Sequence, residues 1–464
     1  PGSGKTASVL GAYIYLRDYL DSVDRLFVIG PISSFKAWRE EYKILYPGYS
    51  KYEIFDSGEE KDTLTRVEIL KSDFNKFNLI LINYEAVPLV DNILSQLISH
   101  RTMIVFDEIH RIKRIEGKQF NATYKIAENA SYRTALTGTP LPNGYKDLHN
   151  LFKILYDEYS YSYFGFSSDY LNDIQKRFDN MQIEDKELNS KINPFFVRLS
   201  KNDLGVPPAN PDNLYWIEPS REEKITYQNI FYDDNKTMFS KTISLIQVGL
   251  LSNYAKNVKQ IDHEQFTNDD SNLQKEPDTI PDDLSTSKAD AIVKLVNDLI
   301  SQGKSVVIWA VFIKSILVLD KALKKQGIDV RLIYGNIGIQ SRDKIINDFN
   351  NGKFQVLLTN PSTLAESVSL HKVCHDAIYV EMNFNLAQYL QSRDRIHRLG
   401  LSEDVETNYH IFINKYEQPS IDEKIYDRLK EKEKQMYTAI NEGKLFTQEN
   451  VNISDFNSMF DKGR

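Results

Sequence analysis

Short uninterrupted apolar runs recur along the chain, separated by longer stretches with helical spacing. Leu26-Phe27-Val28-Ile29 ends in the turn pair Gly30-Pro31, and similar runs stand at Leu79-Ile80-Leu81-Ile82, Met103-Ile104-Val105-Phe106 and Thr134-Ala135-Leu136-Thr137. The pattern resumes at Val306-Val307-Ile308-Trp309, Val330-Arg331-Leu332-Ile333, Val356-Leu357-Leu358-Thr359 and Ala377-Ile378-Tyr379-Val380. Runs that stay apolar instead of alternating with polar positions predict strands buried on both faces. With helices between them, they predict an α/β chain of two parallel-sheet domains in tandem.

Between the two sets the pattern changes. From about Leu141 to Val197 the composition turns helical, with Leu148, Leu151, Phe152 and Leu155 spaced to cover one helix face. A Pro-rich passage follows near Pro207-Pro208, and the stretch from Asp262 to Ser287, rich in Asp, Asn, Ser and Pro, reads as a linker or surface insertion. The expected organisation is a first α/β lobe over 1–155, a helical and connecting region over 156–285, a second lobe over 286–445 and a tail over 446–464. Two lobes joined this way leave a cleft, a natural place for a ligand whose chemistry drives relative motion.

Composition narrows the classes. The 464 residues suffice for two or three ordinary cores, and a single cysteine excludes an internal disulfide and any thiolate-rich metal cluster. Fifty-seven basic against 65 acidic side chains, a net charge of -8, argue against a polybasic binder coating nucleic acid, while leaving room for a basic cleft. No uncharged apolar run reaches the roughly 18 to 20 residues a membrane span needs, and no signal sequence opens the chain, so it reads as cytoplasmic with no membrane partner.

The candidate chemistry begins at the first residues. Gly2-Ser3-Gly4-Lys5-Thr6 is the later part of a phosphate-binding loop. Its glycines let backbone amides turn toward phosphate, Lys5 neutralises β/γ charge, and Thr6 presents a hydroxyl to Mg²⁺ at a helix N-terminus. The loop's first glycine and its preceding strand would lie upstream of Pro1, so the sequence reads as part of a longer chain. The partner motif is Val105-Phe106-Asp107-Glu108-Ile109-His110, a strand ending in adjacent carboxylates. Asp107 is suited to hold Mg²⁺ and Glu108 to orient the attacking water; His110 follows and could connect the site to Thr137-Gly138-Thr139-Pro140. From the second half, Gln391 to Gly400 supplies Arg395 and Arg398, three apart and so about one helical turn, which lets both guanidinium groups face one partner and stabilise charge on a terminal phosphate. His371, Cys374 and His375 have metal-ligand types but no clear fourth member, and read as part of a strand approach.

Taken in order, these segments resemble the superfamily 2 helicase-like ATPases, Swi/Snf-type DNA translocase branch. Pro1 to Thr6 is similar to the end of motif I, Val28 to Pro31 through Trp38-Arg39-Glu40-Glu41 to motif Ia and its tryptophan helix, and Ile82-Asn83-Tyr84-Glu85 to the TSYE-type segment. Asp107 to His110 resembles motif II, and Leu136 to Pro140 with Asn143 resembles motif III. Phe195 to Lys201 is similar to the basic segment linking the motor lobes; Ser287-Lys288, Val306 to Trp309 and Tyr334-Gly335 resemble second-lobe landmarks, and Gln391 to Gly400 motif VI. The resemblance implies ATP and Mg²⁺ as cofactors, with Gly2, Ser3, Gly4, Lys5, Thr6, His110 and Gln391 around the nucleotide and Lys5, Asp107, Glu108, Arg395 and Arg398 catalytic. It implies DNA as partner, duplex preferred and RNA left open, within a restriction, phage-defence or repair assembly.

Two departures qualify this. Where the family carries a glycine-rich motif V, this chain has Pro361-Ser362-Thr363-Leu364-Ala365-Glu366-Ser367, and Leu401 replaces the usual glutamine after motif VI. With the short middle region they suggest a minimal bacterial or phage-like relative. Expected backbone contacts are Ser33, Ser34 and Lys36; Arg111, Lys113 and Arg114; and Thr359, Asn360 and Ser362, residue types that grip phosphate without reading bases. Tyr84, Trp309 and Tyr334 read as packing residues before base-stacking ones. An RNA or strand-separating helicase, and a nucleotide-gated interaction module without processive movement, stay open as alternatives.

Overall fold

The computed structural model describes residues 4–48, 53–59, 62–112, 117–137, 147–156, 176, 196–197, 201, 203–255, 286–335, 337–364 and 368–441. They fall into two compact units, Gly2–Arg198 and Leu199–Lys434, with the described residues from Gln435 onward clustering with the first.

In the first unit, helix α1 (Lys5–Ile14) precedes strand β1 (Arg25–Gly30), then α2 (Ile32–Leu45), β2 (Ile54–Asp56), α3 (Thr63–Asp73), β3 (Leu79–Asn83), α4 (Val87–Leu97), β4 (Thr102–Asp107), α5 (Lys118–Ala127), β5 (Tyr132–Leu136) and α6 (Asp147–Leu155). The five strands pair in the order β2-β3-β1-β4-β5, all parallel. The period of two along each strand divides the apolar runs between two cores. Leu26, Val28, Leu79, Leu81, Met103 and Val105 meet Leu10, Tyr13, Phe35 and Trp38 from α1 and α2. Phe27, Ile29, Ile80, Ile82, Ile104 and Phe106 meet Leu70, Val90, Leu94 and Ile126 from α3, α4 and α5. Every residue of β3 and β4 is buried, and both strands are apolar apart from Asn83, Thr102 and Asp107 at their ends.

The second unit contains β6 (Asn213–Ile217), α7 (Arg221–Phe231), α8 (Met238–Ala255), α9 (Ser287–Ser301), β7 (Ser305–Trp309), α10 (Ile313–Lys325), β8 (Val330–Ile333), α11 (Ile339–Asn350), β9 (Val356–Thr359), α12 (Pro361–Leu364), β10 (Cys374–Tyr379), α13 (Leu386–Arg393), β11 (Asn408–Asn414) and α14 (Ile421–Asn441), the last running past Lys434. Its six strands, also parallel, run β6-β11-β10-β7-β9-β8. Both units are thus RecA-like parallel α/β layers. Because β6 pairs with β11, residues that the composition placed in the intervening region belong with the second sheet. The stretch after Tyr156 expected from composition to be helical, apart from residues 176, 196 and 197, and the linker at 262–285 lie outside the described residues.

A polar cluster fastens α8, α9 and α14 to this sheet. Lys288 and Asp422, both buried, pair at 3.0 Å, and Asp422 also accepts from the backbone and side-chain amides of Asn414. Gly249 on α8 lies against them; a Cβ there would stand 2.4 Å from Asn414 Nδ2. Among the described residues no helix is long and apolar enough to cross a membrane.

Candidate functional site

The carboxyl ends of β1, β3 and β4 are neighbours, and α1 begins at Lys5, immediately after Gly4 in the left-handed region (φ 71°). A left-handed residue here favours glycine, and Gly4 as N-cap brings no side chain of its own to the amides of the first turn, a geometry suited to anions. Gly2 and Ser3 lie outside the described residues. Lys5 and Thr6, half-buried, are the first two residues of the helix.

Asp107 ends β4 in the interior, only 8% exposed. The indole Nε1 of Trp38, from α2, donates to its Oδ2 at 3.0 Å, and the hydroxyl of Tyr84, after β3, donates to its backbone carbonyl at 3.0 Å. Gly30, ending β1, leaves room: a Cβ there would sit 2.9 Å from the Cβ of Asp107. Burial and the adjacent Glu108 carboxylate hold the Asp107 carboxyl above the ordinary carboxylate range, while the Trp38 indole, the Ser34 hydroxyl and the charge of Lys5 pull it back down. Lys5 is therefore within electrostatic reach of Asp107. Glu108 itself takes φ 50°, a left-handed conformation that an L residue with a long side chain adopts at a cost, as residues at functional sites do. A carboxylate and a hydroxyl are hard oxygen donors that fit Mg²⁺, which is held largely by substrate phosphates and needs no all-protein cage. Among the described residues no cluster of three or more His, Cys, Asp or Glu could hold a metal.

In the second unit α13 stops at Arg393, so Arg395 and Arg398 stand on turns beyond the helix, and the helical spacing expected for them does not hold. Asn385 caps the start of α13, and the chain leaves the helix because Arg395 turns inward: its Nε donates to the carbonyl of Gln391 at 3.0 Å and its Nη1 to the carbonyl of Val368 at 2.8 Å. Arg395 is 4% exposed, whereas Arg398 and Gln391 are half-buried. The charge of Arg398 adds to burial in pushing the His371 imidazole down to about 4.

Sequence reasoning overlooked Arg393. Its guanidinium lies 3.6 Å over the Tyr409 ring and pairs with Asp212 at 2.8 Å, while Asp212 also accepts from Tyr426. The only signal in the sequence was one more arginine in an arginine-rich motif; the partner stands far upstream.

The expected nucleic-acid contacts divide. Ser33 is exposed, and Lys36 and Ser362 are half-buried. The side chains of Ser34, Thr359 and Asn360 are buried. Ser34 Oγ donates to the Pro31 carbonyl within its own turn, Thr359 closes a strand paired on both sides, and Asn360 donates to Ser362 Oγ. The side chains of His110 and Arg111, and all of Lys113 and Arg114, lie outside the described residues. Tyr84 and Trp309 are fully buried in their cores. His371 Nδ1 meets Ser369 Oγ at 2.7 Å, and Cys374, buried, donates to the Asp376 carbonyl.

Two RecA-like units, one carrying a Gly-Lys-Thr helix start within reach of an Asp-Glu strand end, define a helicase-like ATPase. A model of the SNF2-related domain matches residues 1–275, and one of the helicase conserved C-terminal domain matches residues 287–400. The chain belongs to the SNF2-related family, the Swi/Snf branch of the superfamily 2 helicase-like ATPases. Curated relatives include a chromodomain-helicase-DNA-binding protein 1-like from Mus musculus, 24% identical over 87% of this chain and 44% of that protein. Another is a putative ATP-dependent helicase/translocase YwqA from Bacillus subtilis, 24% identical over 86% of this chain and 42% of that protein. The chain spans less than half the length of these relatives. A solved Sulfolobus solfataricus SWI2/SNF2 ATPase core in complex with dsDNA is 22% identical, covering 98% of this chain and 90% of that one, with a TM-score of 0.40.

Proposed function

We propose that this chain is the motor portion of a DNA-stimulated ATPase that couples ATP hydrolysis to movement along duplex DNA. The observation that carries the reading is the Asp107–Glu108 strand end, gripped by Trp38, Tyr84 and the bare Gly30 and within reach of Lys5. Such a fixed carboxylate beside a helix start with glycine at its N-cap suits a nucleoside triphosphate with Mg²⁺. In this reading Gly2 to Thr6 cradle the phosphates, Thr6 and Asp107 hold the metal ion, and Glu108 orients water. His110 and Gln391 flank the nucleotide, and Arg395 and Arg398 stabilise charge on the terminal phosphate as it passes to water. The metal, when bound, screens charge on the phosphates; all other steps are those of the side chains named.

Support for DNA as the track comes from the SNF2-related family and the names its relatives carry. Ser33, Lys36, Arg111, Lys113, Arg114 and Ser362 are the residues proposed to hold the sugar-phosphate backbone without reading bases. A restriction, defence or repair assembly is the proposed setting.

Phosphate release with duplex DNA, single-stranded DNA and RNA tests the reading, followed by triplex displacement against strand separation. Duplex stimulation with triplex displacement supports it. Strand separation without displacement would replace it with an unwinding helicase, and no stimulation by any nucleic acid would replace it with nucleotide-gated binding.

A further inference from the structure

The connecting chain is stitched onto the arginine segment of the second unit. Lys201 forms an ion pair with Asp394, and its Nζ lies 3.0 Å from His397 Nδ1. On the other side of the same ring, His397 Nε2 lies 2.6 Å from the Pro207 carbonyl. A carbonyl only accepts, so Nε2 carries the proton and Nδ1 accepts from the Lys201 ammonium. Both ring nitrogens of His397 are thus occupied by the connecting chain, and His397 and Asp394 are buried. Between the two contacts the chain makes a tight turn: the amides of Leu204 and Val206 donate to the Lys201 carbonyl, and Gly205 takes φ 66°. A few residues on, Asp212 takes the guanidinium of Arg393. Residues 201–212 therefore grip Arg393, Asp394 and His397, the positions that alternate with Arg395 and Arg398.

From the other side Arg395 is tied to residues 368–370. Its Nη1 donates to the Val368 carbonyl, and its own carbonyl accepts from the Leu370 amide at 2.9 Å. The arginine segment is thus held between this loop and the connecting chain. Withdrawing the connecting chain would take hydrogen-bond partners from a buried imidazole and a buried carboxylate, which is costly, so the two segments move together. Burial, with the charge of Lys201 beside it, holds the His397 imidazole below the ordinary histidine range, in keeping with a neutral ring.

We propose that Lys201 and His397 are positioning residues: the clasp Lys201–Asp394/His397–Pro207 sets the placement of Arg395 and Arg398, so that the chain leaving the first unit controls the arginines that act on the terminal phosphate. The consequence for hydrolysis rests on the ATPase reading above; the clasp itself does not.

The test compares Lys201→Ala and Lys201→Arg with the unmodified full chain by backbone hydrogen exchange, melting temperature, and ATP hydrolysis with and without duplex DNA. Lys201→Ala is expected to speed exchange of the amides of Arg395, Ile396 and His397 about tenfold and to lower kcat about tenfold, with KM for ATP within about twofold. Lys201→Arg, which keeps the charge, should recover most of both. Lys201→Met keeps the aliphatic stem and is read in the same way should the alanine variant not fold. Unchanged exchange at these amides overturns the clasp; faster exchange with unchanged kcat, or a rise in KM alone, overturns the positioning role. If duplex DNA fails to stimulate the unmodified chain, the translocase reading fails, while basal kcat and exchange in the Lys201 variants still decide this one.

Discussion

The indole of Trp38 donates a 3.0 Å hydrogen bond to Oδ2 of Asp107, joining the middle of α2 to the end of β4 inside a core where both residues are buried. The bond fixes one carboxylate oxygen and stabilises its charge. Trp38→Phe keeps the packing and removes the donor, and a hydrogen bond to a charged group is worth about 1.5–3 kcal/mol. The expected outcome is a several-fold rise in the Mg²⁺ concentration giving half-maximal hydrolysis, with a small fall in melting temperature. A Mg²⁺ titration identical to that of the unmodified chain would show that Trp38 serves packing alone.

Glu108 stands one residue further on, at φ 50°. Glu108→Gln retains size and removes the charge that would direct water, so turnover should fall by about 100-fold or more while nucleotide binding persists. Fluorescent-nucleotide binding alongside phosphate release measures both. Hydrolysis surviving at near-normal rate would move the water-directing role to another group.

Arg393 and Asp212 form a half-buried pair, with the rings of Tyr389 and Tyr409 stacked on the guanidinium. Burial alone would raise the Asp212 carboxyl, but the charges of Arg393 and Lys430, with hydrogen bonds from Arg393 and Tyr426, hold it below the ordinary carboxylate range. Its contribution to stability is therefore present at neutral pH and is lost as pH falls below that range. Arg393→Ala should cost about 1.5–3 kcal/mol because it removes a charge-assisted pair, while Tyr426 and Lys430 still partner the carboxylate. Adding Asp212→Asn to that variant should return part of the loss, as chemical denaturation of the single and double variants would reveal; strictly additive losses would mean that the two residues are not coupled.

Glu381 follows β10 and accepts from the amides of Val311 and Phe312, at the N-terminus of α10, and from the Ser315 hydroxyl. Burial, opposed by these donors and by the charge of Lys288, pushes its carboxyl up to about 7. A carboxyl raised on folding gives stability that is complete below its unfolded value and is lost as pH rises through the folded one. Relative to Glu381→Gln, which does not titrate, the unmodified chain should therefore lose stability between roughly pH 4.5 and 7, by an amount on the order of 3 kcal/mol. Melting curves at pH 5 and pH 8 check this; a difference that does not change with pH would place the carboxyl in its ordinary range.

Much of the fold was readable because a strand buried on both faces has to be apolar along its middle, and β1, β3, β4, β7 and β9 are, with polar residues only at their ends. The edge strands β2 and β6 were missed, since β2 is three residues long and β6 carries the exposed Leu214 and Trp216. At the site, Lys5, Thr6, Asp107 and Glu108 stood out because phosphate and metal chemistry demands particular residue types at close spacing. Trp38 and Tyr84 did not stand out as partners of Asp107, because a hydrogen bond between residues so far apart in the chain has no local signature.

Period and residue type along the chain were enough to determine two parallel α/β units, a Gly-Lys-Thr helix start and a carboxylate strand end, because each is a local requirement. Only the tertiary structure decided that Arg395 turns inward onto carbonyls, that Thr359 and Asn360 are buried, and that Lys201 reaches His397. Those outcomes depend on which distant groups share an interior, where a buried polar atom must find whatever partner the packing brings to it.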